Sequence, residues 1–347
     1  MHKILNIKRI KRIVFVLFCG LPLMAMAQDI HFSQFWLAPI SINPANAGFF
    51  DGNVRMGAYN RTQWRAITKA YQTMGASVDL PLIKRPSKQD LFGFGVTFDC
   101  DQAGDSKYTT IPINLLFSYA HALDSRNNNF LMGGITVGGV QRSWDFSQLT
   151  WDDYWQNGMY NPHAVSNETF YGQNYFYADV GFGLQWFYQP GFLDFYQVGF
   201  SLYHLNRPKI TMLKDDRIRL PMKWTVHAIT SVEVHPDIAI VPALYISIQG
   251  IYREFLLGAS YSHTLPIDVK GFRNKANIGL FYRWKDAIYF SAGMEWRRLT
   301  FGISYDFNVS KLTPASNGRG GVELIVSYII KKERYVRRKV PPCAIFN

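Results

Sequence analysis

The chain has 347 residues, 48% of them hydrophobic and 16% aromatic but only 18% charged, with a formal net charge of +12. It holds no run of 18 apolar residues, which excludes a bundle of transmembrane helices. The steady supply of aliphatic and aromatic residues excludes a disordered chain. A large β-protein remains, with enough apolar surface for a full core or for a belt facing lipid.

Residues 1–27 read as a secretory signal peptide. Lys3, Lys8, Arg9, Lys11 and Arg12 form a basic start, Ile13 to Met24 is apolar, and Ala25-Met26-Ala27 supplies a cleavage site before Gln28. Without this leader the charge falls to +7, and most of that sits in the tail, where Lys331, Lys332, Arg334, Arg337, Arg338 and Lys339 face a single Glu333. The body between is nearly neutral, with no basic stripe of the kind that binds nucleic acid. Residues 28–52 carry Pro39, Asn43-Pro44 and Gly48 among aromatic and small apolar residues. They are expected to pack in the lumen of a barrel or to cover its periplasmic mouth. Asn43 before Pro44 has a restricted backbone, which suits a fixed turn.

From residue 53 a single unit recurs: eight to twelve residues alternating in polarity, then a group of turn formers. Strands are expected near 54–64, 71–80, 91–99, 111–121, 130–142, 176–187, 195–204, 223–234, 238–248, 254–263, 276–284, 287–296, 299–307 and 321–330. The alternation is clearest late in the chain. Phe255, Leu257, Ala259 and Tyr261 share one face against Leu256, Gly258, Ser260 and Ser262, and Phe301, Ile303, Tyr305 and Phe307 oppose Gly302, Ser304 and Asp306. An apolar face of this kind points inward in a soluble sandwich and outward in an outer-membrane barrel. Strands near ten residues, aromatics at strand ends (Trp64, Trp186-Phe187, Trp284, Trp296) and short turns favour the barrel. The expected fold is therefore all-β, an antiparallel up-and-down transmembrane barrel of about 14 strands spanning 53–330. Its even strand count would put both termini in the periplasm, with the basic tail 331–347 beyond the last strand.

Catalytic signatures are missing: the sequence has no Gly-x-Ser-x-Gly elbow, Walker loop, His-Glu-x-x-His or Cys-x-x-Cys. His227 alternates with Thr225, Ser231 and Glu233 and is expected to face the lumen, solvated among polar groups rather than paired with an activated serine. Asp152-Asp153 beside Trp151, Tyr154 and Trp155 could hold calcium or a sugar, but the spacing of a calcium loop is lacking, and rings packed on each other in a surface loop are the simpler reading. Cys100 and Cys343 fall on opposite sides of the expected barrel and are not expected to pair. No catalytic residue, metal or cofactor is expected. The tail could dock on anionic lipid or on an acidic periplasmic partner, or remain solvated.

Several segments carry a resemblance. They are Gln28-Asp29-Ile30-His31-Phe32-Ser33-Gln34-Phe35, Asn43-Pro44-Ala45-Asn46-Ala47-Gly48, Tyr59-Asn60-Arg61-Thr62-Gln63-Trp64, Gly302 to Asn308 followed by Ser310-Lys311-Leu312, Glu323-Leu324, and a basic tail ending near Pro342-Cys343. In this order the chain resembles the PorP/SprF family of type IX secretion and gliding proteins of Bacteroidetes. The resemblance implies a non-enzymatic outer-membrane barrel that helps secrete, or anchor at the surface, cargo bearing C-terminal sorting domains. It also implies contacts with the periplasmic ring and peptidoglycan-associated parts of that machine. Asn43, Pro44, Gly48, Arg61, Gln63, Trp64, Tyr305 and Asp306 are the motif residues. Arg61, Gln63 and Trp64 are expected to hold segment 28–52 against the first strand, with the cations from Lys331 to Lys339 docking on a partner. The alternative reading is a transporter or porin for small or apolar solutes.

Overall fold

A computed structural model describes residues 29–63, 65, 69–84, 90–104, 106–145, 149, 152–156, 159–161, 174–191, 193–210, 217–266, 274–311 and 313–331. The first half contributes β1 (Val54–Gln63), β2 (Tyr71–Lys84), β3 (Asp90–Ala103), β4 (Tyr108–Ala122), β5 (Asn129–Ser143), the short pair β6 (Trp155–Gln156) and β7 (Met159–Tyr160), β8 (Asn174–Tyr188) and β9 (Phe195–Tyr203). The second half contributes β10 (Lys223–His235), β11 (Ile238–Gln249), β12 (Tyr252–Thr264), β13 (Lys275–Arg283), β14 (Ala287–Trp296), β15 (Leu299–Asn308) and β16 (Arg319–Ile330). All but β6 and β7 form one closed antiparallel barrel of 14 strands, sealed where β1 pairs with β16 from Val54↔Ile330 to Thr62↔Val322. The fourteen expected strands are all present, with β2 and β3 running furthest past their expected ends. The pair β6–β7 was not foreseen; it stands within the long connection after β5, where Tyr160 packs against Tyr154 and Trp155.

Burial is inverted relative to a soluble protein. On β12, Leu257 is 54% exposed while its neighbour Leu256 is 1% exposed, and Ser260 and Ser262 are buried. The same pattern places Phe98, Phe117, Ile135, Leu280, Phe290 and Ile303 on the outside. A continuous apolar exterior of this extent is far beyond what a water-facing surface tolerates, and lipid is the solvent that it fits.

The ends of the barrel are distinct. Val54 and Ile330 mark the terminal rim; the opposite, distal rim carries the two longest connections, 144–173 and 204–222. Outward aromatics lie near both rims, with Trp186, Tyr196 and Trp296 at the terminal one and Trp224, Tyr282 and Trp284 at the distal one, as interfacial girdles do. Two expectations are corrected. Phe187 is not a girdle residue: adjacent to outward Trp186, it faces inward, with its ring 5.1 Å from Phe49 and 6.1 Å from Phe195. The first described residue, Asp29, lies at the distal rim beside His204 and Gln249, whereas Lys331 lies at the terminal rim paired with Asp51. The two ends of the described chain thus sit at opposite mouths, because the segment before β1 runs the length of the lumen instead of covering one opening. Trp64, Cys343 and residues 332–347 fall outside the described residues.

If lipid covers the outer face, Leu280→Arg, near the middle of β13, should cost about 2–4 kcal/mol. Val309→Arg, in the connection after β15, should change little. The folded fraction across a urea series, read as the heat-modifiable band in electrophoresis, measures both.

Candidate functional site

The lumen is occupied by residues 29–53, which reach side chains on all sides of the barrel. The segment contains a 3-10 turn over Phe35–Leu37, a one-turn helix over Pro39–Ile42 and a second 3-10 turn over Pro44–Asn46. Such short elements leave many backbone groups unpaired, and these must find partners on the barrel wall. Pro39 and Pro44 each start their turn at a position where the missing N–H costs nothing.

The tightest grip is at Ser33 and Gln34. Both backbone N–H groups donate to Glu323, at 2.7 Å to Oε2 and 2.7 Å to Oε1 respectively, so one carboxylate satisfies two consecutive amides. The Ser33 carbonyl accepts from Tyr289 Oη at 2.8 Å, and its hydroxyl accepts from Arg283 Nη2 at 2.5 Å. Arg61 donates to the His31 carbonyl at 2.5 Å and lies 3.5 Å from Asp306 and 3.9 Å from Glu323. Arg283 reaches Asp306 at 3.1 Å and Glu254 at 3.1 Å. Arg61, Arg283, Glu254, Asp306 and Glu323 are all buried. Charges so placed are tolerated only when mutually paired. They come from β1, β12, β13, β15 and β16, and they meet around the segment's backbone.

Below this cluster the contact is apolar. Trp36 stacks on Phe281 at 4.6 Å, Phe281 stacks on Tyr289 at 4.9 Å, and Phe35 meets Tyr245 at 5.3 Å. Next comes the Asn43-Pro44-Ala45-Asn46-Ala47-Gly48 turn. Asn43 Oδ1 accepts from Ala45 N at 3.0 Å, while its amide donates to the Leu184 carbonyl at 2.9 Å on β8. Asn46 accepts from Gln185 at 2.6 Å and donates to the Pro39 carbonyl at 2.9 Å. Glycines on the wall make room for this turn: a Cβ on Gly93 would lie 1.9 Å from the Ala47 carbonyl oxygen, and one on Gly134 would lie 2.4 Å from Ala45 N. Gly48 has a φ of +69°, a region open to glycine, and donates to Asp79 at 2.8 Å; Arg55 holds the same carboxylate at 2.7 Å. Phe49, packed edge-on against Phe130 and Phe187, closes the terminal end.

At the distal end Asp29 meets His204 Nε2 at 2.5 Å, and the other ring nitrogen of His204 meets Asp179 at 2.9 Å. Burial opposes the charge on His204, but the Asp29 and Asp179 carboxylates prevail and lift its pKa to about 9. Burial likewise opposes ionisation of Asp29, yet His204, with Lys223 and Arg142 further off, holds its carboxyl well below the usual range. A cavity of about 10 Å³ beside this pair, lined by residues including His31, Gln249 and Glu254, has room for about one water.

The structure brings Asn43, Pro44, Gly48, Arg61 and Asp306 together around the lumen segment. Gln63 lies on the luminal face of β1 without a polar contact to the segment among the described residues. Tyr305 points outward, with its ring 4.8 Å from Phe307, and takes no part. Lys331 is the one predicted tail cation among the described residues. His227 is buried with Nε2 3.1 Å from the Gln185 amide oxygen, so its neighbour is an amide rather than a serine. Sequence reasoning missed Arg55, Asp79, Gln185, His204, Glu254, Arg283 and Tyr289. A charged residue on the small-residue face of an otherwise apolar strand, such as Glu254 in β12 or Arg283 in β13, was the available signal.

A family model described as type IX secretion system membrane protein PorP/SprF matches residues 25–328. No curated protein matches. Among solved structures, a mutant of the TodX monoaromatic hydrocarbon channel is similar at 10% identity and a TM-score of 0.50, over 84% of this chain and 93% of that one. The Ralstonia pickettii toluene transporter TbuX (10% identity, TM-score 0.48, 84% and 92% covered) and a Pseudomonas aeruginosa FadL homologue (11%, 0.42, 82% and 92%) are also similar. At these identities the likeness is one of barrel fold alone.

Two outcomes follow from the contacts. Glu323→Ala, which orphans two amides and removes a carboxylate beside Arg61, should destabilise the folded barrel by about 3–5 kcal/mol, measured by urea unfolding. His204 has a raised pKa, so its contribution is full below the ordinary value of 6.5 and is lost as pH rises through about 9; that of Asp29, whose pKa is lowered, is present above the ordinary 3.8 and is lost only in acid. Protease sensitivity of the lumen segment should therefore rise above about pH 9, and His204→Ala should remove that step.

Proposed function

This chain belongs to the PorP/SprF family of type IX secretion system membrane proteins, and from that premise we propose that it is a non-enzymatic, outer-membrane accessory of that machinery. In this reading it assists the secretion or surface anchoring of cargo with C-terminal sorting domains. It contacts the periplasmic ring and peptidoglycan-associated components, with its basic tail 331–347 on the periplasmic side and surrounded by outer-membrane lipid. The distal rim, which bears the long connections, then faces the cell exterior.

The observation that carries this reading is the filled lumen. Glu323, Arg61, Arg283, Asn43 and Asp79 tie residues 29–53 to the wall along its length. A solute passing through would have to displace a segment whose Ser33, Gln34 and Gly48 amides are bonded to buried carboxylates of the wall. A transporter for small or apolar solutes, the alternative, needs a continuous path. The hydrocarbon channels that share the fold supply no argument for one here.

The test is a clean deletion of the gene in its host, comparing surface and supernatant proteomes with wild type. Loss of one or a few large proteins bearing C-terminal sorting domains, with solute uptake intact, is expected and would name the cargo. Unchanged secretion with reduced uptake would overturn the reading. In planar bilayers the purified barrel should conduct poorly; steady conductance from the intact protein would favour the transporter.

A further inference from the structure

The segment's direction through the barrel has a consequence for what the cell surface presents. β1 starts at the terminal rim with Val54, and Asn53 N donates to the Ile330 carbonyl there at 2.7 Å. From that point back toward the amino end, the contacts climb the wall in order. Gly48 meets Asp79 near the start of the path, Asn43 meets Leu184 and Phe200, Gln34 meets Ser304, Ser33 meets Glu323, and Asp29 meets His204 and Gln249. His204 directly follows β9, and Gln249 is the last residue of β11; both mark the distal ends of their strands. The Asp29 carboxylate is held there by His204, itself braced by Asp179, with Lys223 4.0 Å away.

We propose that the amino-terminal end of the lumen segment is displayed at the cell-surface mouth of the barrel, fastened by the Asp29–His204–Asp179 contact. The protein then presents chain from both of its described ends, one on each side of the membrane. The face beside connection 204–222 is built partly from the amino-terminal end. This goes beyond the accessory reading, which would survive or fail in the gene deletion whatever the position of Asp29.

Three singly tagged versions of the full chain test the proposal, each with a short epitope detected by antibody on intact and on permeabilised cells. One tag is inserted between Gln28 and Asp29, one between Gln156 and Met159 in the β6–β7 hairpin, and one after Asn347. Heat modifiability confirms that each barrel has folded. The expected result is labelling of the first two tags on intact cells and of the third only after permeabilisation. If the hairpin tag labels on intact cells while the Gln28–Asp29 tag needs permeabilisation, the proposal is overturned. It is equally overturned if only the tag after Asn347 labels on intact cells. Should the inserted epitope block folding, Gln28→Cys in a Cys100→Ser, Cys343→Ser background, probed with a membrane-impermeant maleimide, gives the same two-way answer. His204→Ala in that background should increase the labelling rate at position 28 several-fold if the clasp fastens this end, and leave it unchanged if it does not.

Discussion

Everything inside this barrel depends on one requirement, that an irregular peptide surrounded by a lipid-embedded wall have its backbone donors and acceptors satisfied by that wall. Glu323 meets the requirement most directly. Its two oxygens take the amides of Ser33 and Gln34 at 2.7 Å each, and the charge so buried obliges Arg61 to stand beside it. Arg61 and Arg283 in turn share Asp306, and Glu254 partners Arg283. Arg61 and Glu323 also face each other across the β1–β16 seam, so the same pair serves the closure of the barrel and the hold on the segment.

The lower half of the lumen answers the same requirement with shape. Gly93, Gly134 and Gly183 leave a hollow whose walls are backbone, and the Asn43 to Gly48 turn fills it so closely that a methyl group on any of the three would meet the turn at 2.8 Å or less. Side-chain amides hold the turn here, with Asn43 donating to the Leu184 carbonyl and Gln185 donating to Asn46. An outer-membrane barrel whose lumen is matched atom by atom to its own amino-terminal segment is suited to holding and presenting, which is how the accessory reading understands it.

The barrel was legible in the sequence because period-2 polarity is a local property, and lipid outside with small polar residues inside makes it strong on β12, β14 and β15. The family motifs led to Arg61, Asp306 and Asn43, but the same reasoning took in Tyr305, which the alternation of β15 sends outward. Arg283, Glu254 and Tyr289 stayed hidden for a physical reason. Their meeting is set by the register across β12, β13 and β14, where Leu256 pairs with Arg283 and Phe281 with Tyr289, and by the stagger that brings β1, β15 and β16 to the same level, neither of which leaves a spacing signal. His204 was read only as the end of a strand; a position with φ of +59° just past β9 turns its ring back over the lumen. Phe187 was assigned to a girdle because it follows Trp186, although neighbours on a strand face opposite ways.

The position of the seam imposes an order on assembly. β1 and β16, joined last because one opens the barrel sequence and the other ends it, pair residues more than 250 positions apart, such as Val54 and Ile330. Such distant contacts form late. The lumen segment directly precedes β1, and its far end lies at the rim opposite its point of attachment. Once the seam has closed, that end could arrive only by dragging Ser33, Gln34 and Asp29 lengthwise past the aromatic stack and the charged cluster. A segment laid against the sheet while the barrel is still an open trough avoids that passage, with the strands then curling shut around it. In this view residues 29–53 act as the mandrel on which the barrel is wound.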